Sequence, residues 1–498
     1  MVTVPGQRAR MKTFTVDNIS MLQKLITSHW LSLHALVVMT GWVIYVTTSR
    51  ARRQRRHPSA ALAWVISLTL LPYLALPLYM VFGSRKVLRE VPAQARPTLP
   101  LKGRQTDDPV QRFQQLAFAM GLPPAATYQQ LAVHQDGREA LEALRALIAS
   151  ATAKLDLCTF ILGRDALGTE VIERLVARAR EGVQVRLMID GVGFYLGGRP
   201  DLKLLAKAGV RVALFVSPLS SPLPGRTNLR NHRKLAIADG KRVWTGGRNL
   251  ASEYFTGDVS QNPKRKPWVD LSFDFSGELA QQTQQRFDQD WDFATLGRSD
   301  CASVNLSETP APMAMPGAAS AKLAQLIASG PDQADDTIYS LLISSCFSAQ
   351  TRIMVVTPYF VPDATLLLAL TLAARRGVTV DLVLPLKSNH WLADRARQTS
   401  LREMAAAGAS IALLPEMIHA KAILIDEGLA LAGSANVDER SLFLNYELMI
   451  AFYDPVEVAQ FSSWADTHRT TAAAYVPTPP GALQEFVEGL IRWLAFQL

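Results

Sequence analysis

"NHRKLAIADG" occupies residues 231–240 and "HAKAILIDEG" occupies residues 419–428. Both stretches read His-x-Lys-x-x-x-x-Asp, with His232, Lys234 and Asp239 in the first and His419, Lys421 and Asp426 in the second. Each then reaches a glycine-containing turn and an asparagine at the same distance. "GGRN" places Asn249 seventeen residues after His232, and "GSAN" places Asn436 seventeen residues after His419. One copy is weak evidence of anything, but two in register require a common cause.

Working outward from the two stretches, the chain runs through one plan twice. "KLDLCTFIL" (154–162) is β-rich and leads into the helix-like "TEVIERLVARAREGVQVRLMID", where a strand starts after Gly182. "TRIMVVTPYF" (351–360) leads likewise into "LLLALTLAARRGVTVDLVLP", with Gly377 in the matching place. A glycine that ends a helix before a short β-branched run is a βαβ signal. A second helix–Gly–strand unit follows in both halves, "LAKAGVRVALF" and "MAAAGASIALL". Strands alternating with helices predict an α/β sheet covered by helices, here duplicated.

The chain of 498 residues exceeds one ordinary domain. Leu25–Ser49 and Pro58–Ser84 each lack any charged residue, and each is long enough to cross a hydrocarbon layer of about 30 Å as a helix. Pro72 and Pro77 predict a kink in the second. Residues 1–104 hold 15 Lys/Arg against 2 Asp/Glu, while residues 105–498 hold 37 against 41. The basic character therefore sits at the apolar runs, above all in "RARRQRRH" (50–57), where it suits anionic lipid headgroups at roughly 1 kcal/mol per side chain. The larger C-terminal part lacks the positive balance of a general nucleic-acid binder. Cys158, Cys301 and Cys346 are too few and scattered for a disulfide framework or zinc site.

In a strand, residues two apart share a face. His232 pairs with Lys234 in this way, and His419 with Lys421. Two duplicated halves facing each other would join two His, two Lys and two Asn in one site, and that set suits a phosphodiester. Lys234, Lys421, Asn249 and Asn436 can bind the non-bridging oxygens and offset charge in the transition state without a metal. One imidazole can attack phosphorus while the other protonates the departing alkoxide. An attacking imidazole needs its second nitrogen held by an acceptor. Candidate acceptors follow each motif: Asp270 in "KPWVDLS", 38 residues after His232, and Glu447 in "LNYELMI", 28 after His419. Asp239 and Asp426 lie at odd spacing from their histidines, face away in a regular strand, and read as structural. Tyr359 and Asn389 are candidates for lining a lipid pocket or for core and loop roles. The C-terminal "FVEGLIRWLAFQL" is suited to docking on the protein or to lying on a membrane.

The paired pattern resembles the phospholipase D superfamily, whose motif counts Asp239 and Asp426 with the catalytic sets. "NHRKLAIADGKRVWTGGRNLASEYF", "SGPD" (329–332), "TPYFVPD" (357–363) and "GSANVDERSLFLNYE" are similar to its bacterial cardiolipin synthase branch. The resemblance implies two pseudo-twofold-related phospholipase D-like α/β domains with one shared active site, preceded by two transmembrane helices. The corresponding division is a tail (1–24), two spans with a polybasic loop (25–84), a linker (85–115), a first domain (116–300), a connection (301–335) and a second domain (336–498). It further implies a metal-independent, cofactor-free phosphatidyltransferase of the bacterial inner membrane. Two phosphatidylglycerols would give cardiolipin and glycerol through a phosphohistidine, with His232 as nucleophile and His419 as acid. A hydrolase, a transferase using another lipid or alcohol, and a tethered nuclease are the alternatives.

Overall fold

The computed structural model describes residues 16–51, 58–83, 108–216, 228–257, 266–296 and 322–494. The Arg-rich segment 52–57, the linker up to 107, most of "NPKRK" (262–265) and the Pro/Ala-rich connection with Cys301 lie outside the described residues. The chain forms two compact units, Met1–Ser84 and Arg85–Leu498.

In the first unit, Val16–Ala51 is one helix of 36 residues. The second apolar run is divided into Pro58–Leu70 and Pro72–Phe82. Leu71 between them leaves helical geometry, at φ −132° and ψ 53°, because the ring of Pro72 disfavours the α conformation in the residue before it. Among the described residues no helix is long and apolar enough to cross a membrane. The expected second span is thus two short helices. Tyr79 is buried here, with its hydroxyl 2.6 Å from Thr48 Oγ1 and its ring edge-on to Trp64.

The second unit holds both halves of the duplication. The first half is a seven-stranded sheet in the order Gln129–His134, Ser272–Ser276, Arg242–Gly246, Leu235–Ala238, Lys154–Thr159, Gln184–Asp190, Arg211–Phe215. In the second half, Leu323–Ser329, Glu447–Phe452, Leu429–Gly433, Ala422–Ile425, Arg352–Val356, Thr379–Pro385 and Ser410–Leu414 follow the same order. Ala126–Thr127 and Ala473–Ala474 extend that sheet at its edges. The last three strands of each seven run parallel, as βαβ crossovers require.

The local signals are plain. Asp165 and Asp363 cap the helices Ala166–Arg180 and Ala364–Arg375 by accepting backbone N–H groups. Gly182 and Gly377 follow those helices at φ +90° and +95°, a left-handed conformation that costs a Cβ-bearing residue energy. The strands Gln184–Asp190 and Thr379–Pro385 are buried beyond their first residue, as strands covered on both faces must be.

The two sheets meet face to face over a shared aromatic core. Phe273 of the first sheet touches Phe452 of the second at 5.6 Å between ring centroids, and Phe461 packs on both. Helices cover the outer faces through Leu144 and Leu175 on one side and Leu341 and Leu370 on the other. The C-terminal helix Ala482–Leu494 docks on Trp391–Ala406 through the buried carboxylate of Glu488, which pairs with Arg402.

Candidate active site

Both motif stretches run extended for a few residues before their strands begin, at Leu235 and Ala422. Strand pairing thus starts one residue after Lys234 and Lys421, later than the sequence alone suggests. The reason is that these stretches pair with the opposite half. The N–H of His232 donates to Tyr446 O at 2.9 Å, and Tyr446 N donates to Arg230 O at 2.8 Å. The N–H of His419 donates to Val269 O at 2.6 Å, and Val269 N donates to Met417 O at 2.9 Å. Tyr446 and Val269 are the residues immediately before Glu447 and Asp270.

The carboxylates are therefore exchanged between the halves. His232 Nδ1 lies 3.0 Å from Glu447 Oε1, and His419 Nδ1 lies 2.7 Å from Asp270 Oδ2. Each acceptor serves the motif it does not follow in the chain. With Nδ1 held by the carboxylate in both rings, Nε2 is the nitrogen that remains for chemistry in His232, while in His419 Lys421 Nζ also lies 2.8 Å from Nδ1 and 3.0 Å from Nε2. Glu447 also accepts from Ser434 Oγ at 2.5 Å and from Asn445 Nδ2 at 3.2 Å.

The glycines explain how the carboxylates come so close. A Cβ on Gly246 would lie 2.2 Å from Leu271 O, and one on Gly433 would lie 2.2 Å from Leu448 O. Gly247, the next residue in the first half, would clash with Asp270 itself at 2.2 Å. Its counterpart in the second half is Ser434, which uses the space for its bond to Glu447.

Burial sets the charges. It pushes His232 down to about 4 against the pull of Glu447, and His419 down to about 3, with Lys421 adding to the effect. It also pushes Lys234 down to about 7 and Lys421 to about 8, opposed in each case by the carboxylates. Burial works against ionisation of Asp270 and Glu447, but the facing imidazoles and lysines outweigh it and hold both below the usual carboxylate range. The influences cross between halves: Lys421 acts on His232 and Lys234, and Asp270 acts on Lys421. Lys234 and Lys421 are fully buried, each donating to the carbonyl of its own histidine. Asn249 is buried and accepts from Ile161 N at 3.3 Å, while the buried Asn436 keeps Oδ1 without a partner. The ring of Phe160 stands edge-on to His232, and Tyr254 edge-on to His419.

A family profile described as "Cardiolipin synthase, PLD-like domain" matches residues 144–291 and 342–469. The chain belongs to this family. Among curated relatives it is 30% identical to cardiolipin synthase 1 of Bacillus anthracis, over 89% of either chain. It is 31% identical to the major cardiolipin synthase of Bacillus subtilis, over 81% of this chain and 85% of that one. With cardiolipin synthase A of Pseudomonas aeruginosa it shares 29% identity, over 80% and 82%. A crystal structure of phosphatidylserine synthase from Haemophilus influenzae shares the fold, with a TM-score of 0.59 at 13% identity, covering 78% of this chain and all of that one.

The motif aspartates of this cardiolipin synthase family member stand away from the histidines. Asp239 accepts backbone N–H groups from Thr152, Ala153 and Lys154 at 2.8–2.9 Å. Asp426 accepts from Gln350, Thr351 and Arg352. Both sit at positive φ, 53° and 52°, where they turn the chain. Grouping them with the catalytic sets is corrected on this point: they tie the motif strand to the start of its antiparallel neighbour, Lys154–Thr159 in one half and Arg352–Val356 in the other. Tyr359 and Asn389 are joined to each other by a hydrogen bond of 2.6 Å.

Sequence reasoning missed Ser434, Asn445 and Arg233. Arg233 is fully buried, pairs with Asp290, and donates to the carbonyls of Glu447 (3.0 Å) and Ser329 (3.1 Å). It thus holds the strand that carries the carboxylate facing its neighbour His232. Only the unusual Arg between His and Lys could have signalled it. Among the described residues no group of three or more His, Cys, Asp or Glu could hold a metal ion.

Proposed function

We propose that the protein is a membrane phosphatidyltransferase that joins two phosphatidylglycerols into cardiolipin and releases glycerol. The observation that carries this reading is the exchanged pair of histidine–carboxylate contacts, which makes one site from two halves. His232 Nε2 attacks the phosphorus of the first lipid, and its bond to the glycerol oxygen breaks. His419 gives the departing glycerol its proton. The hydroxyl of the second phosphatidylglycerol then yields a proton to His419 and displaces His232 from phosphorus. Lys234, Lys421, Asn249 and Asn436 hold the non-bridging oxygens. The empty site keeps both imidazoles neutral; an entering phosphodiester anion raises the proton affinity of His419 and so loads the acid. Glu447 and Asp270 fix ring orientation and stabilise the imidazolium forms.

The N-terminal helices anchor the chain in the bacterial inner membrane. Their large apolar side chains face outward, with Leu36, Met39, Leu70 and Leu74 each more than 60% exposed, and such surfaces require an apolar surrounding. Purified protein incubated with phosphatidylglycerol in detergent tests the reading by mass spectrometry of the lipids. Cardiolipin with stoichiometric glycerol is the expected product pair. Phosphatidic acid alone would assign a hydrolase, and no turnover would reject both.

A further inference from the structure

Residues 386–391 turn the chain from the strand Thr379–Pro385 into the helix Trp391–Ala406. The polar groups of this turn are bonded inward. Ser388 N donates to Asp394 Oδ2 at 2.9 Å, and Arg397 Nη2 donates to Leu386 O at 2.9 Å. Ser388 Oγ donates to His390 O and accepts from His390 N. Asp394 also pairs with Arg397, at 3.2 Å, so its charge is turned toward the protein. A turn held in this way presents its remaining side chains in one arrangement, and those are apolar or cationic. Leu386 is 49% exposed and Trp391 is 67% exposed. Trp391 is the one largely exposed tryptophan of the catalytic unit among the described residues. Lys387 and Arg395 are exposed beside them, and neither forms an ion pair among the described residues. Arg395 lies one turn after Trp391 and so shares its helix face.

The turn adjoins the reacting groups. Tyr359 donates to Asn389 Oδ1 at 2.6 Å and sets its ring edge-on to His390. The residues after Tyr359, Phe360–Val361, pair in parallel with Val437–Asp438, which directly follow Asn436. Tyr359 also acts electrostatically on Tyr254, whose ring stands edge-on to His419. Tyr359 therefore joins the exposed turn to both Asn436 and the surroundings of His419.

The substrate fixes what such a surface would meet. A diacyl phospholipid carries its phosphodiester at headgroup depth while its chains stay in the hydrocarbon. A site that takes this phosphodiester has to meet the bilayer at that depth. Tryptophan favours this layer, because its ring is apolar and its indole N–H finds polar partners there. A neighbouring leucine adds buried apolar area, and lysine and arginine reach anionic headgroups. Resting on the transferase reading above, we propose that Leu386, Lys387, Trp391 and Arg395 form a surface that docks the catalytic unit on an anionic lipid bilayer. The docked turn seats the mouth of the site at the headgroups, where both phospholipids enter.

Depth-dependent quenching in proteoliposomes tests this. Full-length protein carrying Cys301→Ser receives a fluorescent dye at one introduced cysteine, Trp391→Cys, Leu386→Cys or Lys241→Cys, and is reconstituted in vesicles containing phosphatidylglycerol. Cys158 and Cys346 are buried. Lys241 is exposed in the turn that ends the motif strand, away from His232, and serves as the control. Lipids spin-labelled just below the headgroup should remove about half of the emission or more at 391 and 386 and little at 241. Equal quenching at 391 and 241 would overturn the docking surface. A dye at 391 that neither lipid spin labels nor aqueous iodide reach would overturn it too, since a protein would then cover the turn. Unlabelled Trp391→Ser should raise KM for phosphatidylglycerol in vesicles about tenfold, with turnover of a monomeric short-chain phosphatidylglycerol unchanged. A vesicle KM equal to wild type would count against the surface in the same way. Quenching needs no turnover, so the expected quenching without any cardiolipin would sink the transferase reading and leave the docking surface standing.

Discussion

His232 and Glu447 are 215 residues apart in the chain, and their side chains meet at 3.0 Å between Nδ1 and Oε1. His419 and Asp270 repeat the relationship in the opposite direction, at 2.7 Å over 149 residues. Neither half therefore owns a complete histidine. Removing either carboxylate charge should damage the partner half. Glu447→Gln and Asp270→Asn are each expected to lower kcat by about 10²–10⁴-fold, the scale for a lost imidazole-orienting carboxylate. Steady-state rates on phosphatidylglycerol measure this; a loss below threefold in both would show that the contacts do not serve the chemistry.

The two histidines have different duties in the proposed mechanism. His232→Ala and His419→Ala should each cost three orders of magnitude or more in turnover, about 4 kcal/mol of barrier. Rapidly quenched wild-type enzyme should carry a phosphatidyl adduct on the peptide containing His232. Finding it on the His419 peptide would reverse the roles.

The pH profile follows from burial. The attacking imidazole must be neutral, so kcat/KM should rise with pH through about 4, where His232 loses its proton. In the proposed mechanism Lys234 and Lys421 bind phosphate as ammonium groups, and they lose their protons near 7 and 8 as pH rises. The free-enzyme profile is thus a bell with its alkaline limb near neutrality. In kcat that limb should shift upward, because bound phosphate stabilises the ammonium forms. A flat profile of kcat/KM up to pH 10 would contradict the buried, phosphate-binding role of the lysines.

Asp239 and Asp426 should matter for stability rather than chemistry. Each carboxylate gathers three backbone N–H groups and a threonine hydroxyl. Asp239→Ala or Asp426→Ala is expected to cost about 2–3 kcal/mol, with Asn milder because it tolerates positive φ. Burial opposes ionisation of Asp239, but the backbone donors lower it to about 2 from an ordinary 3.8. Its folded form therefore binds protons more weakly than the unfolded chain. Its contribution is complete above about 4 and is lost as pH falls through about 2. Thermal melts of each variant check the cost; wild-type melting temperatures would refute the assignment.

Chelation should leave the chemical step untouched, since in the proposed mechanism the buried Lys234 and Lys421 supply the positive charge at phosphorus. Inhibition by EDTA that is restored by a divalent cation would show that charge to come from a metal.

Much of this was legible in one dimension. The duplication, the βαβ units and the parity of spacing all arise from local rules: a helix needs a cap and a stop, and a strand alternates its faces. The odd interval from His232 to Asp239 read that carboxylate as turned away from the histidine; which backbone it reaches, that of Lys154 and its neighbours, came only from the fold. The break at Leu71 was likewise written in Pro72. Ser434 and Asn445 carried no such signal, because a serine after a glycine and an asparagine before a tyrosine are ordinary neighbours.

The chain's own text thus determined that two like halves exist and which residue types each contributes. Only the tertiary structure decided which carboxylate faces which histidine. That choice depends on the docking of two sheets over Phe273 and Phe452 and on the bridges that Tyr446 and Val269 make to the opposite motif. No local periodicity encodes a pairing across 149 or 215 residues; it exists only once both sheets are folded and in contact.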